Sequence, residues 1–314
     1  MTRIATITFS PCIDKSAAVS ALLPEKKLLC SELKYEPGGG GINVARAINK
    51  LGGEAAAIYP AGGYTGEFFT QLLEDEHVPS IVIDTVSHTR ENIIILDKAT
   101  NQQYRFGMPA GELSENEWVA CLQEIEQLMD VEFIVASGSL PPSVPLDIFA
   151  RIAKIAKKKN AKLIVDTSGE ALKNAIINEG VYLLKPNLGE LSSLVGKEEL
   201  QLDMIDDAAK EIIAKGYCEV IVVSMGAAGA MLVTKDIMQT ITTPPVKRKS
   251  TVGAGDSMVA GIVLSLSKGK NLLQSVQYGV ACGTAATMNP GTELCRFEDV
   301  EKLFMQIQRT RTVI

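Results

Sequence analysis

Histidine is almost absent: His77 and His88 are the only two in 314 residues. That argues against histidine-based metal sites and hydrolase triads, both of which need a placed imidazole. The six cysteines, Cys12, Cys30, Cys121, Cys218, Cys282 and Cys295, are scattered and form no C-x-x-C pair. That argues against a zinc site or a disulfide framework and fits a reducing, cytoplasmic setting. No apolar run approaches the roughly 18 residues that span a bilayer. The first strand-like run begins at Ile4, so no signal peptide is expected. Positive charge is also short. Lys and Arg number 31 against 37 Asp and Glu, a net charge of -6, so neither a nucleic acid nor a membrane is an expected partner. The Walker pattern G-x-x-x-x-G-K-[ST] is missing, so any ATP site is of another design.

What is present describes a globular chain with a sizeable core: 46% hydrophobic and 22% charged residues. Short apolar runs at 4–9, 55–60, 133–136, 163–165, 182–184 and 220–223 read as strands buried on both faces of a parallel sheet. Helical patterns at 41–51 and 65–76 separate the first of them, and 259–308 reads as mostly helical. The alternation predicts one doubly wound α/β domain over 1–314. Two segments break the rhythm. Residues 11–37 show no helix, and 88–107 give two alternating strands, 91–96 and 102–106. They are expected to pair as a small β-sheet lid, covering either substrate or a second subunit.

The polar residues fall after strands, where open parallel sheets bind ligands. Thr251-Val252-Gly253-Ala254-Gly255-Asp256 opens a helix with two glycines and a carboxylate. A helix start offers unpaired N–H groups and a partial positive charge to phosphate. Asp256 suits such a loop if it removes a proton from a hydroxyl that attacks the phosphate; the plainer reading is an ordinary helix start. An unperturbed Asp has a pKa near 3.9, so Asp256 is expected to be ionised at neutral pH. Gly38-Gly39-Gly40-Gly41-Ile42-Asn43 opens another helix. Its glycines let a ligand touch backbone, and Asn43 is placed to bond a sugar hydroxyl. Asn43 also stands where a dinucleotide loop needs its third glycine. Asn187 and Glu190 read either as an N-cap with its capping box or as a group near magnesium that acts through water. Ser224 and Gly226 start either a tight hairpin or a floor for nucleotide phosphates. Lys185 follows a strand and is placed to reach a phosphate, Asp14 to hold sugar hydroxyls. Arg90 and Lys27, one in each excursion, are candidates for an anionic substrate.

Together, Gly38-Gly39-Gly40-Gly41-Ile42-Asn43-Val44-Ala45-Arg46-Ala47, Lys185-Pro186-Asn187-x-x-Glu190 and Thr251 to Asp256 resemble the ribokinase-like (PfkB) sugar kinases. The likeness covers essentially the whole chain. Glu36-Pro37, Ser137-Gly138-Ser139-Leu140-Pro141-Pro142 and Ser250-Thr251 make it most similar to the phosphofructokinase and tagatose-6-phosphate kinase branch. The resemblance implies ATP- and Mg2+-dependent phosphorylation of the C1 hydroxyl of fructose 6-phosphate. Tagatose-6-phosphate kinase and 1-phosphofructokinase are the alternatives, and a non-catalytic sugar-phosphate sensor is the reading from another class. It implies Asp256 as the base, with Gly253, Ala254 and Gly255 as an anion hole. Asp14, Gly39, Asn43 and Ser139 would surround the sugar. Arg90 would serve its phosphate together with Lys27, the latter from the partner of a homodimer clasped through the lid. Lys185, Asn187, Ser224 and Gly226 would serve the nucleotide, and Glu190 would organise Mg2+. A K+ site would use carbonyls near Ser250, Val252, Ala286, Asn289 and Gly291. Three departures stand out. Leu29 replaces a phosphate-gripping Arg, and Leu23 and Gly189 replace a Tyr and a Lys used around an inhibitory ATP.

Overall fold

The computed structural model describes residues 3–177 and 180–309. The chain runs from β1 (Ile4–Ile7) into β2 (Cys12–Val19) and β3 (Lys34–Gly38), then α1 (Gly40–Lys50). Next come β4 (Ala56–Ala61), α2 (Gly63–Asp75), β5 (Ser80–Asp84), β6 (Arg90–Asp97) and β7 (Gln102–Phe106). Helix and strand then alternate: α3 (Glu115–Gln127), β8 (Phe133–Ser137), α4 (Ile148–Lys158), β9 (Lys162–Asp166), α5 (Gly169–Ile177) and β10 (Val181–Leu184). After α6 (Leu188–Leu194), α7 (Ile205–Ala214), β11 (Cys218–Ser224), β12 (Ala230–Val233) and β13 (Met238–Ile241), three helices close the chain: α8 (Ala254–Ser267), α9 (Leu272–Thr287) and α10 (Phe297–Arg309).

The main sheet has the order β13-β12-β11-β10-β9-β8-β1-β4-β5. Every pairing from β11 to β5 is parallel, and β12 and β13 join antiparallel. Side chains alternate across it, so β1 sends Ile4 to one core and Ala5 and Ile7 to the other. Helices α1, α2, α8, α9 and α10 cover the first face, and α3 to α7 the second. This is the doubly wound architecture expected from the alternation. β5 and β13 were not legible, because each is an edge strand with one partner and carries exposed residues such as Val82 and Met238. The first strand is also shorter than the run 4–9, although the Thr8 N–H still bonds Ile58 O.

Helix α8 is buried along Ser257–Ser265, so it lies under the sheet like a core strand rather than along the surface. Glycines allow this. A β-carbon at position 261 would come 2.5 Å from Cys282 Sγ, and one at 279 would come 2.7 Å from Met258 O. α8 and α9 therefore pack nearly backbone to backbone.

The two excursions do pair, in the order β3-β2-β6-β7. β2 with β3 and β6 with β7 are antiparallel, and β2 with β6 is parallel. The register sets Tyr35, Ile93, Tyr104 and Phe106 on one face of this lid, each at least 36% exposed.

Candidate active site

Parallel strands bring their carboxyl ends to one edge of the sheet, and helix N-termini converge there. At that edge β9 ends in Asp166, β10 leads into Lys185 and β11 ends in Ser224. Lys185 Nζ pairs with Asp166 Oδ1 at 3.1 Å, and both side chains are almost out of solvent, at 6% and 14% exposure. Burial raises the Asp166 carboxyl against the pull of Lys185. Burial also opposes charge on Lys185, but Asp166, with Glu190 and Asp256, outweighs it and raises the ammonium. A buried cation is thereby fixed at the sheet edge, against the start of α8.

That start is a turn only glycine makes without strain. Gly253, the N-cap, has φ 70°, and a β-carbon there would meet Leu294 Cδ2 at 2.6 Å. No side chain caps this end; the Ala254 N–H makes only a long bond, 3.5 Å to Thr251 O, and with the first-turn N–H groups at Gly255 and Asp256 it gives the helix start a partial positive charge. The Asp256 carboxyl is only partly accessible. Burial pushes its pKa up to about 7, helped by Asp166 and Asp14 and opposed by Asn43 and Lys185. This corrects the expectation from an unperturbed Asp: at neutral pH the group is poised between its two forms.

The four-glycine segment meets the same point from α1. A β-carbon at Gly40 would fall 2.3 Å from Ser137 Oγ, so the start of α1 rests directly on the end of β8. The Ile42 N–H donates to Thr8 Oγ1 at 3.0 Å. Asn43 Nδ2 donates to Asp256 Oδ2 at 2.9 Å and joins the two glycine-led helices. From the lid, Asp14 Oδ1 accepts from Asn92 Nδ2 at 2.9 Å. Its other oxygen lies 2.6 Å from where Gly38 would carry a β-carbon. Arg90 spends Nη1 and Nη2 on the carbonyls of Met108 and Ser10, both at 3.0 Å, and leaves Nε buried without a partner.

Asn187 caps α6 and forms the full capping box with Glu190: Asn187 Oδ1 accepts the Glu190 N–H at 2.9 Å, and Glu190 Oε2 accepts the Asn187 N–H at 2.8 Å. Burial raises the Glu190 carboxyl, with Asp166 adding to the rise and the Asn187 N–H and Lys185 opposing it. Ser224 N donates to Pro186 O at 2.9 Å, which sets Ser224 beside Asn187. Gly226, with φ 59°, starts the exposed turn between β11 and β12. Among the described residues no group of three or more His, Cys, Asp or Glu forms a metal cage. A magnesium ion that keeps its waters and takes one carboxylate fits this donor set.

Behind the glycine turn, Ser250 Oγ donates to Gly291 O at 2.7 Å and accepts the Val252 N–H at 3.2 Å. Asn289 donates its N–H to Ala286 O and its Nδ2 to Leu294 O. Of the five residues named for a monovalent cation, Ala286 lies in the last turn of α9 and the other four lie in two loops that the Ser250–Gly291 bond joins. One sequence candidate stands apart: Lys27 is exposed on the loop between β2 and β3, as is Leu29. Ser139 is exposed directly after Gly138, which packs against Gly40.

Several residues at the site received no role from the sequence. Asp166 had a weak signal as the first acid after an apolar strand. Arg46 had a stronger one, a lone cation in the run from Ile42 to Ile48. Asn92 and Thr8 had none, because only the pairing of distant segments brings them in.

Comparison with known proteins identifies the family. The model of the pfkB family carbohydrate kinases matches residues 4–299. The chain is 43% identical over 309 residues to the ATP-dependent 6-phosphofructokinase isozyme 2 of Escherichia coli K12, covering 98% of this chain and 100% of that one. The crystal structure of Escherichia coli phosphofructokinase-2 with fructose-6-phosphate superposes with a TM-score of 0.93 at 42% identity, covering 98% and 100% of the two chains. The potassium complex of the same enzyme gives 0.93 at 43% identity, with the same coverage.

Proposed function

The chain belongs to the pfkB family of carbohydrate kinases, and on that premise we propose that its cleft transfers the γ-phosphoryl group of ATP to the C1 hydroxyl of fructose 6-phosphate. The observation behind this reading is Asp256 in the first turn of α8, poised near neutrality beside uncapped amides and the buried Lys185 cation. In its ionised form Asp256 takes the C1 proton as the sugar oxygen attacks phosphorus. The amides at Gly253, Ala254 and Gly255 face the charge that grows on the transferred group. Lys185, Asn187, Ser224 and Gly226 hold the nucleotide. Asp14, Gly39, Asn43 and Ser139 hold the sugar, and Arg90 its phosphate.

Glu190 would hold Mg2+ through water, and the metal would supply charge neutralisation at the phosphates. Ser250, Val252, Ala286, Asn289 and Gly291 fit a K+ site, a reading supported by the potassium complex of the Escherichia coli enzyme. The lid face with Tyr35, Ile93, Tyr104 and Phe106 has the apolar exposure of a homodimer clasp, which would deliver Lys27 to the neighbouring cleft. The whole chain, 1–314, then acts as one kinase domain with a lid. Six free cysteines suit work in the cytoplasm, and no helix among the described residues is long and apolar enough to cross a membrane.

The second reading is tagatose 6-phosphate, which carries the same phosphate and differs at one stereocentre; the exposed Leu29, in place of a gripping arginine, bears on how tightly that phosphate is held. The test is ADP release from MgATP with fructose 6-phosphate, tagatose 6-phosphate and fructose 1-phosphate, compared as kcat/KM. A preference for fructose 6-phosphate is expected. A preference for either other sugar replaces the substrate assignment, and no turnover with any of them overturns the kinase reading.

A further inference from the structure

Arg46 is a cation set inside the apolar face of α1, and its side chain is 2% exposed. Its Nε and Nη2 donate to the two oxygens of Glu76, which caps the end of α2. Burial raises the Glu76 carboxyl, but the hydrogen bonds and charge of Arg46 outweigh this and lower it. Among the described residues Glu76 is the carboxylate that pairs with the guanidinium. Nη1 does something else: it donates to Pro37 O at 2.6 Å and to Asn43 Oδ1 at 3.3 Å. The opposite end of that carboxamide, Nδ2, is the group that donates to Asp256.

The two ends of a carboxamide are nearly equal in shape and opposite in hydrogen-bonding sense. A cationic donor at Oδ1 leaves one orientation, with the NH2 group turned to Asp256. Polarisation along the row from guanidinium to amide to carboxylate also strengthens that donor. Pro37 directly precedes the four glycines, so the same guanidinium ties the end of lid strand β3 to α1.

We propose that Arg46 is a positioning residue, which sets the Asn43 carboxamide and through it holds the Asp256 carboxylate for proton acceptance. The proposal rests on the kinase reading for the task of Asp256. The row of contacts does not. Asp166 and Lys185, from the ends of β9 and β10, and Asp14, from β2, also act on Asp256, and replacing Arg46 leaves all three in place.

The test is a double-mutant cycle of Arg46→Met and Asn43→Ala with two readouts. The first is a carbon-13 NMR titration of the Asp256 carboxyl. Arg46→Met is expected to move it upward by about half a pH unit or more and to do nothing further once residue 43 is alanine. The second is turnover with MgATP and fructose 6-phosphate. Here kcat is expected to fall roughly tenfold or more with little change in KM, and the acid limb of the pH profile should follow the NMR shift. Arg46→Lys cannot reach Glu76, Pro37 and Asn43 together, so it should recover only part of the loss.

A wild-type protein that phosphorylates no sugar defeats the kinase reading, and the NMR cycle still decides the role of Arg46. An Arg46→Met protein with a lower Tm but an unchanged Asp256 titration overturns the proposal. So does a shift of equal size with and without Asn43. Should Arg46→Met not fold, Glu76→Gln loosens the same guanidinium from its more exposed side and must show the same dependence on Asn43.

Discussion

The backbone of Gly255 lies against the ammonium of Lys185: a β-carbon at position 255 would sit 3.4 Å from Nζ. One residue follows a strand and the other opens a helix, yet they bring a side-chain cation beside the first-turn amides of α8. Under the proposed function this pairing would face phosphate, and Asp166 keeps the cation in place.

Removing the cation strands its partner. Lys185→Met is expected to cost about 3–5 kcal/mol of stability, the usual consequence of breaking a buried pair, measured by urea denaturation at pH 8. The double variant Asp166→Leu, Lys185→Met should regain most of that stability while ATP turnover stays lost. A double variant as unstable as the single one would mean the pair is not the source of the effect.

Asp256 should set the acid limb of activity. In the proposed mechanism its ionised form is the base, and burial pushes its pKa up to about 7, so kcat/KM should fall about tenfold per unit as pH drops below that value. Asp256→Asn should lower kcat by at least about 10²-fold and remove this limb. Stability moves the other way. With the folded pKa above the unfolded one, the folded state binds the extra proton between about pH 4 and 7, and stability falls as pH rises through that window. Asp256→Asn should therefore stabilise the protein at pH 8, by about 1–3 kcal/mol, with the gain gone near pH 4. Thermal unfolding at the two pH values decides it.

Gly40 is a contact point. A methyl group there would press on Ser137 Oγ and, at 2.6 Å, on the Gly138 N–H. Gly40→Ala should push α1 off β8, move Asn43 away from Asp256, and cost roughly 1–3 kcal/mol as overpacking does. Activity should drop further than stability does, which paired unfolding and turnover measurements would reveal.

Leu29 is 84% exposed on the lid loop. Leu29→Arg should strengthen the grip on the sugar phosphate by about 1.5–3 kcal/mol, or roughly 10- to 150-fold in KM, with kcat little changed. If the loop serves the partner's cleft, the gain should vanish on dilution to monomers.

Phe106→Asp places a charge in the exposed apolar face of the lid. Analytical ultracentrifugation should then show a monomer, and activity should fall with it. A dimer that persists would move the interface away from the lid.

Much of this protein is written locally. The buried strands, the glycine-led helix starts at 40 and 254, the Asn187–Glu190 capping box and the alternating lid strands each depend on neighbours a few residues apart, so periodicity and turn chemistry expose them. Asp256 and Lys185 are picked out by helix-start and strand-end chemistry, and the family motifs point to the same two residues. What tertiary structure decided are matters of long-range proximity. Asn43 and Asp256 are 213 residues apart in sequence, Arg46 reaches 30 residues to Glu76, and Asn92 meets Asp14 across two strands of the lid. The protonation of Asp256 belongs to this second group. A carboxylate carries its ordinary pKa in any sequence, and only burial next to Asp166, set against Asn43 and Lys185, moves it to neutrality.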